Sequence, residues 1–401
     1  MQASALLSSP NAQIPRTVDA ALRRSIPAFN PSVAKVQKNM EEISYFMRIP
    51  QRKPWGNMAA SVTSALSLSR EQLTAGTPPA SKETAEALAD KVYAGLKKLE
   101  LAVGSQQPDV TSVRVAEVLK SVAALELVQA PGLAFSIPAQ YTSLPRLVGR
   151  AVVEFTLQKA SGSAGSELFF NDVGGGTSPT AVVQVTLDGY SAPITAGNFM
   201  VNVMEGLYDD RPVQSTFTSI FVESSSDRGP AKRGRVLLVC AVQHCETVPH
   251  TPARWRGGCP TTPRRLLFVV TVAQAPVPLE ILPAGQYEPL YRLPLDVQSG
   301  ELPVLPLSIT GAISMAHIPG TEKLLSGQDW FVYKFDKQQS GLAGLAFDEG
   351  TFGVFGYVSK GMDSMAKVRP GDTILQARIV SGVEKLVQPN ASSAAASAPQ
   401  E

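Results

Sequence analysis

The stretch Leu187 to Asp209, LDGYSAPITAGNFMVNVMEGLYD, constrains the fold more than any other part of the chain. Residues 181–187, AVVQVTL, alternate apolar and polar side chains, the period of a strand with one buried face. The run ends in Asp188-Gly189, a pair that suits a tight turn. Pro193 and Thr195 then open a helix, because proline is tolerated in a first turn and a hydroxyl can satisfy an orphan backbone donor. Phe199, Val203 and Leu207 recur at helical spacing, with Met200 and Met204 on the adjoining face. The unit reads as strand, turn and short buried helix.

Upstream, from Arg16 to Ala130, the periodicity is helical throughout. Ser32 is placed to cap a helix whose apolar face is Val33, Val36, Met40, Ile43 and Met47 and which Pro50 closes. Met58, Val62, Leu66 and Leu73 predict a second helix, ended by residues 76–79, GTPP. Ser81 starts a third, carrying Ala85, Leu88, Val92, Leu96 and Leu99 up to Gly104. Asp109 opens a fourth, with Val115, Leu119, Val122 and Leu125, before Pro131-Gly132 stops it. Four amphipathic helices on short Pro/Gly loops predict an antiparallel bundle over residues 16–130 whose stripes form its core. The competing reading, a stripe serving as a partner surface, requires that stripe to be exposed. Residues 1–15 and 387–401 are expected to be disordered, the latter as a low-complexity Ala/Ser tail, and 131–150 to form a linker.

The chain has 401 residues, long for one core, so two domains are expected. A net charge of +2 argues against a nucleic-acid binder, which needs a concentrated basic surface. No apolar run is long enough to cross a bilayer, so no transmembrane segment is expected. The first residues, MQASALLSSPNAQIPRTVD, are too short and too weakly apolar for a secretory leader, so an import address is not visible.

The stretch 187–210, LDGYSAPITAGNFMVNVMEGLYDD, resembles the cyclophilin segment in which a strand feeds an "AP.T..NF" helix that plugs one end of a β-barrel and leads to "YD". Residues 311–316, GAISMA, resemble the "G.(L/I)SMA" strand of that family, and residues 354–358, VFGYV, its "VFG.V" strand. Helices followed by a junction such as Tyr141, Leu144, Leu147 and 149–151 (GRA) are similar to the multidomain cyclophilins of the chloroplast thylakoid lumen. The resemblance implies a multidomain α + β chain: an N-terminal antiparallel helical bundle, then an antiparallel cyclophilin-like β-barrel over 151–386, capped by helices. It implies peptidyl-prolyl cis-trans isomerase or chaperone activity on proline-containing polypeptides, a lumenal home, and photosystem II subunits as clients. No cofactor is expected.

Prolyl isomerisation faces a barrier of about 18–20 kcal/mol because rotation breaks amide conjugation. A catalyst holds the proline ring in an apolar pocket and aims a donor at the twisted amide, whose nitrogen becomes pyramidal and accepting. In cyclophilins an arginine supplies that donor. Carried over by resemblance, its position falls on Ser215, so turnover is expected to be weak or lost. Ile220 and Phe221 fall at the pocket pair, Glu223 and Asp329 at two glutamines, and His317 at an asparagine whose backbone binds substrate. Met315 and Ala316 match directly, Phe331 is the expected pocket floor, and Phe347 and Phe352 lie near the residues that close it. For Phe221, Met315 and Phe331 the competing reading is ordinary barrel core. Arg211 and Arg228 could swing toward the site, although each reads better as a solvated loop charge. A non-catalytic scaffold or peptide-binding chaperone is the second functional reading, and Ser215 favours it.

Two features read otherwise. Residues 174–177, GGGT, have no Lys-Ser/Thr sequel opening a helix, so they read as a loop rather than a phosphate cradle. All three cysteines, Cys240, Cys245 and Cys259, cluster with His244 and His250 in an atypical insertion at 231–275. Their spacings do not match a zinc knuckle, so no metal is expected. The segment is read as a translated intron, with a disordered basic loop or a genuine metal- or disulfide-bearing insertion as the alternatives.

Overall fold

The computed structural model of the chain describes residues 15–27, 30–49, 52–130, 132–160, 169–171, 176–223, 275–335, 346 and 348–389. The cysteine-bearing insertion, the two chain ends, Arg228 and Phe347 lie outside the described residues. Among the described residues six α-helices form the N-terminal bundle or lie beside it, α1 (Val18–Ser25), α2 (Pro31–Arg48), α3 (Trp55–Leu66), α4 (Arg70–Thr74), α5 (Lys82–Gly104) and α6 (Pro108–Gln129), and two follow, α7 (Pro193–Met204) and α8 (Met362–Ala366).

Helices α2, α3, α5 and α6 enclose one core in which Val36, Met40, Met58, Val62, Leu96, Leu99, Val118 and Val122 are buried, as the stripes predict. The ends of the helices depart from the sequence reading. The α2 cap is Asn30 rather than Ser32: its Oδ1 accepts from the Ser32 and Val33 amides, and Pro31 takes the first helical position. The same side chain donates through Nδ2 to the carbonyls of Gln72, Leu73 and Ala75, tying α4 to the start of α2. The predicted second helix is two, because Ser69 and Gln72 form a reciprocal capping box that starts α4 after a break at Ser67.

The second half is a closed antiparallel barrel. Its strands are β1 (Arg150–Gln158), β2 (Thr180–Asp188), β3 (Arg211–Ser215), β4 (Ser219–Val222), β5 (Val277–Pro278), β6 (Ala312–His317), β7 (Leu324–Tyr333), β8 (Val354–Lys360) and β9 (Thr373–Ser381). They follow one another in space as β6-β8-β2-β1-β9-β3-β4-β7, and β6 pairs with β7 to close the ring, with β5 attached to β7. Alternation along β1 and β2 sends Val153, Phe155, Leu157, Val183, Val185 and Leu187 inward.

Helix α7 plugs this barrel. Phe199 meets Trp330 edge-on at 5.3 Å and lies 5.0 Å from Phe355, 5.1 Å from Tyr208 and 6.4 Å from Phe155. Asn198 and Asn202 both donate to the Gly327 carbonyl at 2.7 Å. The N-terminus of α7 is capped from a distance: Glu280 Oε2 accepts from the Ile194 and Thr195 amides at 3.1 Å and from the Thr195 hydroxyl at 3.2 Å. Thr195 is therefore a donor to the cap, not the cap expected of it. Burial pushes the Glu280 carboxyl up to about 7. Gly197 lets the helix touch the backbone at Arg146, where an added Cβ would sit 2.4 Å from Cα.

Helix α1 joins the two halves. Its Ala21 and Leu22 are buried with Leu305, Leu307, Ile309 and Tyr357 on the outside of the barrel. Arg150 binds Asp188 at 2.9 Å and the Ser25 hydroxyl at 2.8 Å, and also reaches the Leu22 carbonyl. On the bundle side, Arg23 pairs with Glu41 of α2 at 3.3 Å. Glu126 of α6 is only 2% exposed, and neither carboxylate oxygen has a hydrogen-bond partner among the described residues. Burial pushes its pKa up to about 8, with Arg23 and Arg150 pulling the other way and Glu41 adding to the rise.

Two predictions follow from this packing. Gly197→Ala is expected to destabilise the barrel by about 3 kcal/mol, because the backbone at Arg146 cannot yield as a flexible side chain would; urea unfolding followed by tryptophan fluorescence checks it. For Glu126 the folded chain keeps a proton that the unfolded chain loses above 4.5, so this group makes stability fall as pH rises from 4.5 to about 8. Glu126→Gln is expected to flatten that fall, stabilising the chain more at pH 8 than at pH 5. An equal shift in unfolding midpoint at both pH values would refute the assignment.

Candidate functional site

The outward residues of β4 and β7 build the site. On β7, Trp330 and Val332 point into the barrel, so Phe331 and Tyr333 point out; on β4, Ile220 and Val222 point in and Phe221 out. Phe221 and Phe331 are register partners, and their rings lie 5.7 Å apart. Phe352, from the turn before β8, meets Phe331 edge-on at 5.0 Å, and the His317 ring lies 4.4 Å from Phe352. The result is an aromatic furrow on the barrel's outer face whose floor, Phe331, is buried in the cluster that also holds Ala21 and Leu22 of α1.

One border of the furrow is a strand edge. The β6–β8 ladder stops at Ser314↔Val354, and the β6–β7 register shifts between Met315 and His317. The His317 ring contacts the Thr351 carbonyl through Nε2 at 3.0 Å, which requires that nitrogen to carry the proton, and Nδ1 has no partner among the described residues. A loop backs the furrow: both Glu349 oxygens accept backbone amides, from Leu307 at 2.7 Å and Ser308 at 2.9 Å, and the Tyr357 hydroxyl donates to the Pro306 carbonyl at 2.8 Å.

Of the residues singled out from sequence, Phe221, His317, Phe331 and Phe352 come together here. Ile220 and Met315 lie in the barrel interior, where period-two alternation puts them, and Ala316 is half-buried at the register shift. Asp329 is half-buried and accepts from the Ser326 hydroxyl at 2.9 Å, while Glu223 is exposed just beyond β4. Arg211 donates to the Leu207 carbonyl at 2.9 Å.

Ser215 ends β3 opposite Ile220. Its hydroxyl donates to the Val368 carbonyl at 3.0 Å and accepts from Lys334 Nζ at 2.7 Å. Lys334 had no signal in the sequence beyond lying three residues after Phe331. Its pKa is lowered, first by burial and then by Arg369. Phe217 is 79% exposed, and its ring lies tilted against that of Phe335 at 5.4 Å. Among the described residues no group of His, Cys, Asp and Glu is placed to hold a metal.

Comparison with known proteins matches this architecture. Residues 17–128 match the family described as the peptidyl-prolyl cis-trans isomerase CYP38-like, PsbQ-like domain. Residues 177–384 match the cyclophilin type peptidyl-prolyl cis-trans isomerase/CLD family. The chain is 40% identical to the chloroplastic peptidyl-prolyl cis-trans isomerase CYP37 of Arabidopsis thaliana, over 96% of this chain and 74% of that one. It is 29% identical to a putative thylakoid lumen peptidyl-prolyl cis-trans isomerase of Synechocystis, over 93% and 84%, and 26% identical to chloroplastic CYP38 of Arabidopsis thaliana, over 96% and 78%. By resemblance to these relatives its location is the thylakoid lumen. An aromatic furrow on a closed, helix-plugged barrel, these two family matches and the 40% identity lead to one conclusion: the chain belongs to the cyclophilin-type peptidyl-prolyl cis-trans isomerases, in the group that carries a PsbQ-like helical domain ahead of the barrel.

Proposed function

We propose that the chain binds proline-containing segments of unfolded or partly assembled proteins in the Phe221–Phe331–Phe352 furrow and turns them over slowly. The observation that carries this reading is the furrow itself, in which Phe331 lies against both Phe221 and Phe352, beside a strand edge that leaves the ladder after Ser314. A proline ring fits against such aromatic faces, and an extended peptide can add its backbone to a strand edge. Ser215 cannot place a charge at the twisted amide, and loss of one such donor typically costs about 10²–10³ in rate. A second reading, a scaffold or peptide-binding chaperone without turnover, is favoured by Ser215 and shares the same furrow.

The clients are photosystem II proteins during folding, assembly or maintenance. Supporting this are the thylakoid lumen location that the name of the Synechocystis relative gives and the chloroplast location of the two Arabidopsis relatives.

Three measurements test these readings. In a protease-coupled assay with a proline tetrapeptide, the full chain is expected to raise the isomerisation rate modestly above background; binding without any rate gain would select the scaffold. Phe331→Ala and Phe352→Ala are each expected to weaken peptide binding about tenfold, or ~1.4 kcal/mol, by calorimetric titration. For the clients, chloroplasts depleted of the protein are expected to accumulate assembled photosystem II more slowly, and an unchanged rate would remove that part of the proposal.

A further inference from the structure

The ladder between β6 and β8 ends at Ser314↔Val354, yet the turn in front of β8 is held firmly. Three of its carbonyls are taken. That of Gly350 accepts from the Leu295 amide at 2.9 Å, that of Thr351 from His317 Nε2 at 3.0 Å, and that of Gly353 from the buried Ser314 hydroxyl at 2.9 Å. Phe352 stands between the last two. Beyond the end of the ladder, two side chains of β6 do what its backbone no longer does, and they bracket the aromatic residue that meets Phe331 edge-on.

His317 adds a second hold. Its ring lies 4.4 Å from that of Phe352, tilted by 42°. One side chain thus grips both the backbone just before Phe352 and the ring itself. Packing alone does not account for an imidazole here, because Nδ1 is buried with no hydrogen-bond partner among the described residues, a cost that phenylalanine or leucine would avoid. What imidazole supplies and an apolar ring does not is the Nε2–H donor at the Thr351 carbonyl.

We propose that His317 is a positioning residue, which fixes Phe352 as a wall of the furrow and so sets the affinity for a proline ring. The proposal rests on reading the aromatic furrow as the prolyl groove. What resemblance carried over to this position concerned only its backbone, whereas the imidazole acts through Phe352. A wall held by both its backbone and its ring has less freedom to lose when a proline arrives, so binding costs less. The planar and the twisted amide carry the same proline ring, and the wall holds both alike. Loosening it therefore raises KM and leaves kcat in place.

The test uses the full chain and a proline tetrapeptide, with affinity from calorimetric titration and turnover from NMR exchange between cis and trans resonances. His317→Phe keeps a ring against Phe352 but has no donor, and it is expected to weaken binding about fivefold with kcat unchanged. His317→Gln, which returns an N–H to the Thr351 carbonyl, is expected to recover most of the affinity. In a Phe352→Ala background His317→Phe is expected to cost nothing further, since the wall it positions is gone. Unchanged affinity in His317→Phe overturns the proposal, as does an equal loss in both backgrounds or a fall in kcat alone. Should His317→Phe fail to fold, the same cycle with His317→Ala decides, and in a chain without turnover the affinities decide by themselves. Phe331→Ala separates the two readings: if it and Phe352→Ala both leave binding intact, the furrow reading fails and this one with it. If they weaken binding and His317→Phe does not, the role of His317 falls alone.

Discussion

The packing of α7 inside the barrel is the interaction on which the rest of the molecule depends. A ring of eight strands encloses a space that side chains must fill, and an empty interior would forfeit the dispersion and burial that hold the ring closed. Phe199 fills it from the helix, and Phe155, Trp330 and Phe355 from the wall, with Tyr208 closing the end. Because Trp330 and Val332 are committed to this interior, Phe331 is committed to the outside. The same logic holds for Ile220 and Phe221. The furrow is thus a consequence of how the barrel is filled: an inward rung of β4 and β7 dictates the outward one.

Polar groups buried at the same end determine how deep the plug sits. Glu280, Asn198 and Asn202 have no water to replace their partners, so each helix-to-wall hydrogen bond specifies one depth and rotation of α7. Gly197 removes the Cβ that would hold the helix away from Arg146. Asp188, at the turn before α7, is in turn held by Arg150 and Ser25, so α1 and the plug share an anchor. Through the Arg23–Glu41 ion pair that anchor continues to the bundle, while α1 meets the barrel through the apolar cluster of Ala21 and Leu22.

Much of this was legible in the residues. Helical spacing found the buried faces of α2, α5 and α6 almost residue for residue, since a stripe such as Val92, Leu96, Leu99 can only be buried one way on a helix. Strand alternation and the turn at Asp188 likewise found β2 and the start of α7. Helix ends were less legible: Asn30 rather than Ser32 caps α2, and Ser69 interrupts a stripe that looked continuous through Leu73. Caps depend on one side chain's rotamer and its neighbours, which periodicity does not record. In the site, resemblance selected Ile220, Phe221, Met315 and Phe331 together, and only the inward or outward turn of each strand separated the core pair from the furrow pair.

The chain's own pattern of apolar residues determined a helical bundle followed by a closed, helix-plugged barrel, because burying those faces leaves few alternatives. It also places a serine at position 215. Which atoms surround that serine was decided by tertiary structure alone. Lys334, Val368 and Ser215 lie far apart in sequence and on separate segments, and they meet only because barrel closure brings the β3–β4 hairpin, the end of β7 and the loop after α8 to one corner. Local periodicity carries no information about such a meeting, since it depends on strand register and on the reach of one flexible side chain.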